Sequence, residues 1–136
     1  MRHLLFFMFF LISTAAFAQQ VENIPALKQK QPYENIAMQS LASDSNGTYT
    51  VIWIKKEVKA HYHKNHTERI VVMEGTGQML LGTQIVNVGP GDFVTIPKGM
   101  IHAVRVTSKD KPMKVLSIQF PQFDGTDRVM VEKSGW

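Results

Sequence analysis

Residues 36–59, IAMQSLASDSNGTYTVIWIKKEVK, decide the fold. Two β-prone runs, Ile36–Ser43 and Thr48–Lys59, flank Asn46-Gly47, a pair that tolerates the positive φ of tight hairpin turns. They predict a β-hairpin turning on Asn46-Gly47. Short runs at Glu68–Glu74, Gly77–Leu81, Gln84–Val88, Asp92–Ile96, Ile101–Thr107 and Met113–Phe120 continue the pattern. Gly82-Thr83, Pro90-Gly91 and Ser108-Lys109-Asp110-Lys111 supply turns between them. No stretch carries a long 3.6-residue apolar period, so the expected class is all-β, one core closed by strands over residues 35–121.

The chain has 136 residues, the size of one compact domain. It contains no cysteine, which excludes a disulfide scaffold, a zinc ribbon, an iron–sulfur cluster and a thiol nucleophile. Any metal must therefore sit on His, Asp or Glu. Lys+Arg 15 against Asp+Glu 11 gives a net charge of +4, but the basic residues are scattered beyond Lys55-Lys56. Without a clustered basic face, a helix-turn-helix or an aromatic RNA-binding signature, the sequence gives no nucleic-acid partner. The glycines 75, 77, 82, 89, 91 and 99 read as turn residues, since no phosphate-loop or dinucleotide spacing is present.

Met1-Arg2-His3 precedes nine apolar residues, Leu4 to Ile12, and then Ser13-Thr14-Ala15-Ala16-Phe17-Ala18. The apolar stretch is shorter than the ~20 residues that span a bilayer, and Ala16-Phe17-Ala18 is a small-x-small cleavage pattern. Residues 1–18 are thus expected to be a signal peptide cleaved after Ala18, making the mature chain secreted or periplasmic, with no membrane anchor. Cleavage removes Phe6, Phe7, Phe9, Phe10 and Phe17, so the core is expected to be aliphatic. Residues 19–34 are polar, interrupted by Pro25 and Pro32, and read as an exported leader or edge segment. Residues 122–136 form a tail that turns at Asp124-Gly125, folds back across the sheet and frays at Ser134-Gly135-Trp136.

Four histidines remain after cleavage, all in two short stretches. In His61-Tyr62-His63 the i, i+2 spacing puts two imidazoles on one face of a strand, where they can chelate one ion. Glu68 opens the next strand, sharing a side with Ile70 and Val72, and can add a carboxylate. His102 shares a face with Val104 and Val106 after a Pro-Lys-Gly turn and can enter from the far side. Arg69 and Arg105 fall on faces opposite these residues, and Arg128 lies in the tail, so no basic residue is assigned to a substrate.

At these positions the sequence resembles the cupin superfamily. His61-x-His63, Glu68 and Gly75 match its first motif, and Gly91, Pro97, Gly99 and His102 its second, over about residues 48–120. Lys55 and Val106 replace a glycine and an asparagine of the family pattern. The resemblance implies a double-stranded β-helix, or jelly-roll barrel, with His61, His63, Glu68 and His102 as metal ligands and His66 solvent-facing or behind them. It also implies a homodimer, with residues 19–45 as the expected contact.

Three neutral imidazoles and one carboxylate around a divalent ion leave a net charge of about +1 and, in octahedral geometry, two open positions for water, dioxygen or substrate. Mn, Fe, Ni, Cu or Zn suits that set. The expected function is a metal-dependent enzyme, dioxygenase- or isomerase-like, acting on a small organic substrate, with Glu68 as a candidate acid or base. The alternative is a non-catalytic periplasmic protein that binds a metal or a small ligand.

Overall fold

The run from Thr48 to Lys59 does not continue as one strand, and the reason is Asn35. Its Oδ1 accepts from the backbone N–H groups of Lys56 (2.9 Å) and Glu57 (3.2 Å), its Nδ2 donates to Glu57 O (2.8 Å), and its carbonyl accepts from Lys55 N (2.8 Å). These bonds take the Lys55–Glu57 backbone out of the ladder and turn the chain from one sheet into the other. The single expected strand becomes β2 (Gly47–Ile54) and β3 (Glu57–His63).

The computed structural model describes residues 21–132 and 136. The expected signal peptide, its cleavage after Ala18, and Ser134-Gly135 of the expected frayed end lie outside the described residues. The other strands are β1 (Ile36–Asp44), β4 (Thr67–Glu74), β5 (Gly77–Leu81), β6 (Gln84–Val88), β7 (Phe93–Ile96), β8 (His102–Val106), β9 (Met113–Phe120) and β10 (Arg128–Met130). They form two five-stranded sheets in the orders β1-β2-β9-β4-β7 and β10-β3-β8-β5-β6, antiparallel at every pairing. The all-β double-stranded β-helix is the architecture expected.

The β1–β2 hairpin forms, but its turn is Ser45-Asn46, one residue earlier than expected. Asp44 Oδ1 accepts from Asn46 N (2.8 Å) and Gly47 N (3.2 Å), which closes the turn without any positive φ. Gly47 instead begins β2, where an added Cβ would stand 3.0 Å from Gln119 O.

Alternate residues of the two sheets meet in an aliphatic core that includes Ile54, Ile70, Val72, Met79, Ile96 and Val115. The leader, among its described residues, makes one 3-10 turn, Ile24–Ala26, held down by a buried lysine on the outer face of the first sheet. Lys114, 1% exposed, extends its Nζ to Pro25 O (2.9 Å), Leu27 O (2.8 Å) and Glu74 Oε1 (3.3 Å). The tail does fold back, as β10 against β3. Trp136 is not frayed: it packs on Ala60, Leu80 and Ala103 on the outer face of the second sheet, with the Arg105 guanidinium 4.8 Å from its ring.

Gly75 and Gly82 both adopt positive φ, but their surroundings differ. A Cβ on Gly75 would sit 2.8 Å from Met113 Cα and Pro112 O, whereas one on Gly82 meets nothing within 4 Å. G82A should cost only the left-handed strain of about 1–2 kcal/mol. G75A must also push backbone aside and should cost clearly more in urea unfolding; equal losses would contradict this packing.

Candidate metal centre

A β-bulge creates the site. In β3, Val58 pairs with Val104 and His61 with His102, so the register slips by one residue between them. Val58 lines the cavity, Ala60 packs on the outer face, and His61 and His63 then return to the inside. An unbulged strand would carry Val58 and His61 on opposite faces. The i, i+2 reading of His61 and His63 holds because the bulge precedes both.

His61, His63 and His102 each present a ring nitrogen within 4.8 Å of the others. The two that face each other across the β3–β8 ladder are oriented alike. His61 Nδ1 lies 2.8 Å from Lys59 O and His102 Nδ1 lies 3.0 Å from Met100 O, each the carbonyl two residues back on its own chain. A carbonyl can only accept, so Nδ1 carries the proton in both rings and each Nε2 keeps its lone pair. Glu68, on the facing sheet, brings Oε2 to 3.5 Å from His63 Nε2 and 3.3 Å from His102 Nε2. Its other oxygen accepts a 2.5 Å hydrogen bond from Ser117 Oγ. All four expected ligands are therefore brought together and buried, with Glu68 against two of the three imidazoles.

This arrangement suits a divalent ion. Bonds of about 2.0–2.2 Å to one ion put donors at most about 4.4 Å apart, so nitrogens within 4.8 Å of one another reach it with small side-chain adjustments. His102 Nε2 is buried without a hydrogen-bond partner despite its closeness to Glu68, a costly state for an aligned lone pair unless something else uses it.

The electrostatics favour the deprotonated forms that a metal needs. Burial, followed by repulsion from His102, Arg128 and His63, lowers the His61 pKa to about 3. Burial would raise the pKa of Glu68, but the close His102 and His63 rings and the hydrogen bond from Ser117 outweigh it and leave the carboxyl well below its ordinary range.

His66 is not solvent-facing, which corrects one half of the expectation for it. It is 2% exposed, its ring lies 4.2 Å from that of His63, and its Nδ1 reaches Asp127 Oδ2 at 2.5 Å. The same carboxylate accepts from Lys64 N at 2.8 Å and from Asn65 N at 2.9 Å. Asp127 thus pins the loop between the ligand-bearing strands to the tail and holds His66 behind His63. His63, His66 and Asp127 also cluster closely enough to suggest an ion. However, the Asp127 oxygens are already engaged by the Lys64 and Asn65 N–H groups and by His66 Nδ1, as a loop clamp.

Three residues of the site had not been expected. Ser117 had a signal, because it and Gln119 break the apolar inward row that Met113 and Val115 begin. Asp127 and Arg128 had none, because only the return of β10 to β3 carries them there. Arg128, paired in register with His63, brings Nη2 to 3.4 Å from His61 Nδ1. Arg69 and Arg105 stay outside, stacked on Phe120 and Trp136 respectively, as the strand parity requires.

The cavity beside the cluster measures about 140 Å³. Its walls are mostly aliphatic, with Ile52, Val58, Met79 and Val104 among them, and Thr50 and Gln119 add polar groups.

The family profile for the Cupin domain matches residues 49–119. The chain belongs to the cupin family. A protein described as uncharacterized from Aquifex aeolicus is 33% identical over 99 residues, 73% of this chain and 80% of that one. The quercetin 2,3-dioxygenase of Bacillus subtilis is 38% identical over 48 residues, which span 35% of this chain and 14% of the enzyme. Among solved structures, the TT1209 protein of Thermus thermophilus superposes with a TM-score of 0.69 at 20% identity, over 77% of this chain and all (100%) of that one. Streptomyces PAC13, solved with uridine, gives 0.64 at 16% identity over 73% of this chain and 81% of its own. KdgF from Halomonas gives 0.60 at 18% over 69% and 86%.

The pKa shifts fix the sign of an acid response. An unfolded imidazole takes up its proton near pH ~6.5, whereas His61 in the folded, metal-free protein holds off until about pH 3. Its unfolded form therefore binds more protons throughout that window, so stability is intact above the window and is lost as pH falls through it. Glu68, lowered from 4.5, adds a loss in the same direction below that value. The melting temperature of EDTA-treated protein should fall steadily from pH 7 to 4, and H61Q should flatten the upper part of the slope. A pH-independent melting temperature would contradict the buried, neutral imidazole. Separately, D127A orphans three donors and should cost about 1–3 kcal/mol for each one left dry, measured by urea unfolding.

Proposed function

We propose that the exported chain is a metal-dependent cupin enzyme, dioxygenase- or isomerase-like, that acts on a small organic substrate in the barrel cavity. His61, His63, Glu68 and His102 hold a Mn, Fe, Ni, Cu or Zn ion. One observation carries the reading: three mutually close imidazoles, with the bare Nε2 of His102 among them, line a partly open, mostly aliphatic cavity. A site for storing or carrying metal needs ligands but no apolar chamber beside them. The stretch shared with a quercetin dioxygenase and the likeness to a fold solved with uridine are consistent with small-molecule chemistry here.

A bound divalent ion would act as a Lewis acid and offer open coordination positions for water, dioxygen or substrate oxygen. The chain's own groups then divide the work. The aliphatic walls exclude bulk water and hold the apolar body of the substrate. The backbone carbonyls of Lys59 and Met100 fix the tautomers of His61 and His102. Glu68 is anchored by Ser117 and stays ionised at neutral pH, which suits a ligand better than a proton shuttle, whose pKa should lie near the working pH. The outer edge of β1, where Met38 is exposed, supports the expected homodimer. Light scattering of the purified protein should then give twice the chain mass, and a concentration-independent monomer would contradict it.

Protein purified without chelator should contain about one equivalent of transition metal by elemental analysis. H102A and E68Q should each weaken metal affinity at least about 10-fold, as loss of a ligand does, while H66A leaves metal content unchanged. Oxygen-uptake and isomerisation assays on phenolic, diketone and thiol compounds should show metal-dependent turnover. Tight metal with no turnover on any of them would favour the non-catalytic binder. Metal retained by both H102A and E68Q but lost in H66A would overturn the ligand assignment.

A further inference from the structure

The cavity holds one permanently cationic side chain among the described residues, and the metal does not need it. Arg128 lines the same space as the three imidazoles and Glu68, with Nη2 3.4 Å from His61 Nδ1. That contact is not a hydrogen bond, because His61 Nδ1 already donates to Lys59 O and a guanidinium can only donate. Among the described residues no carboxylate lies within ion-pair distance of Arg128. Glu68, the one carboxylate lining the cavity, is committed to Ser117, His63 and His102.

The placement is enforced. β10 sets Arg128 opposite His63 and Met130 opposite His61, and the neighbouring Asp127 is locked to the Lys64–Asn65 backbone and His66. A guanidinium fixed there repels a protonated His61 and would repel a bound divalent ion, and the one carboxylate that attracts it, Glu68, is already committed to its own partners, so the site favours an arriving anion. With the ion on Glu68 and three neutral imidazoles, the cluster plus Arg128 carries a net charge of about +2. The walls facing it are aliphatic.

We propose that Arg128 is the carboxylate anchor of the substrate site, so that this cupin takes small carboxylates with a compact apolar body. The carboxylate receives paired N–H donors from the guanidinium, and the apolar body lies along Ile52, Val58 and Val104, which line the same cavity. The planar fork of Arg matches a carboxylate in a way that Lys does not. At about 140 Å³ the chamber is well below the ~300–1,000 Å³ of pockets for drug-sized ligands, which limits the substrate to a short skeleton. This inference rests on the metal-enzyme reading for its orientation, but the anchor itself does not require the ion.

The test measures binding of benzoate and isovalerate, and of benzamide and isovaleramide, by titration calorimetry on Zn-loaded and metal-stripped protein. Zn-loaded wild type should prefer each carboxylate over its amide by about 10- to 100-fold, the value of hydrogen bonds to a charged group. R128Q should abolish that preference without changing zinc stoichiometry, R128K should restore only part of it, and R105Q, whose Arg lies outside the barrel, should leave it intact. A preference that persists in metal-stripped wild type and disappears in R128Q supports the anchor even where the metal reading fails. A preference lost on stripping zinc but kept in R128Q would assign it to the ion and overturn the proposal. Equal binding of acid and amide, or no saturable carboxylate binding by wild type, would overturn it as well.

Discussion

A carboxylate buried at the centre of an aliphatic barrel is the constraint around which this protein is organised. Glu68 is 6% exposed and ionised, a state that is destabilising by several kcal/mol unless its oxygens are fully engaged. Ser117 satisfies one oxygen, and the other faces His63 and His102, both reached from the opposite sheet. The two sheets are thus joined at their polar centre by one side chain. The Nδ1 protons of His61 and His102 go to backbone carbonyls, so those two rings are buried with bare Nε2 lone pairs, and burial lowers the basicity of His61. A divalent cation resolves both problems at once: it uses the bare lone pairs and neutralises the carboxylate.

The rest of the fold serves that centre. The bulge in β3 brings Val58 and His61 to the same side. The β4–β9 register sets Glu68 opposite Gln119, leaving Ser117 one step away on the same face for its hydrogen bond. Asp127 clamps the loop that joins the ligand strands, and the strand that follows delivers Arg128. Lys114, on the outer row of β9, fastens the leader over the barrel through Pro25 and Leu27. Chemistry concentrates on the second sheet and its tail, while the first sheet supplies Glu68 and the partners that hold it.

Much of this was legible in the sequence because the information is local. Period-two alternation gives the strands, and two histidines two residues apart at the end of a β-prone run declare one face of one strand. Glu68 and His102 follow from the same parity, as does the exclusion of Arg69 and Arg105. What could not be read is non-local or depends on one side chain's hydrogen bonds. Asn35 splits the long run at Lys55-Lys56 through bonds to residues 21 and 22 positions away, and Asp44 moves the hairpin turn one step from the Asn-Gly pair that propensity favours. His66 looks like a loop residue among Lys and Asn, and only Asp127, in a tail with no clear period, explains its burial. Arg128 reaches the cavity for the same reason. The sequence pattern marks the ligands, and tertiary pairing chooses what surrounds them.

The most direct test of the account is X-ray absorption at the metal edge of the protein loaded with one equivalent of Zn or Mn. Three nitrogen scatterers with the outer-shell signature of imidazole, together with at least one oxygen at about 2.0–2.2 Å, is the result expected for His61, His63, His102 and Glu68. An ion surrounded by water oxygens alone, or bound through a single imidazole, would contradict the claim that these four residues form one metal centre.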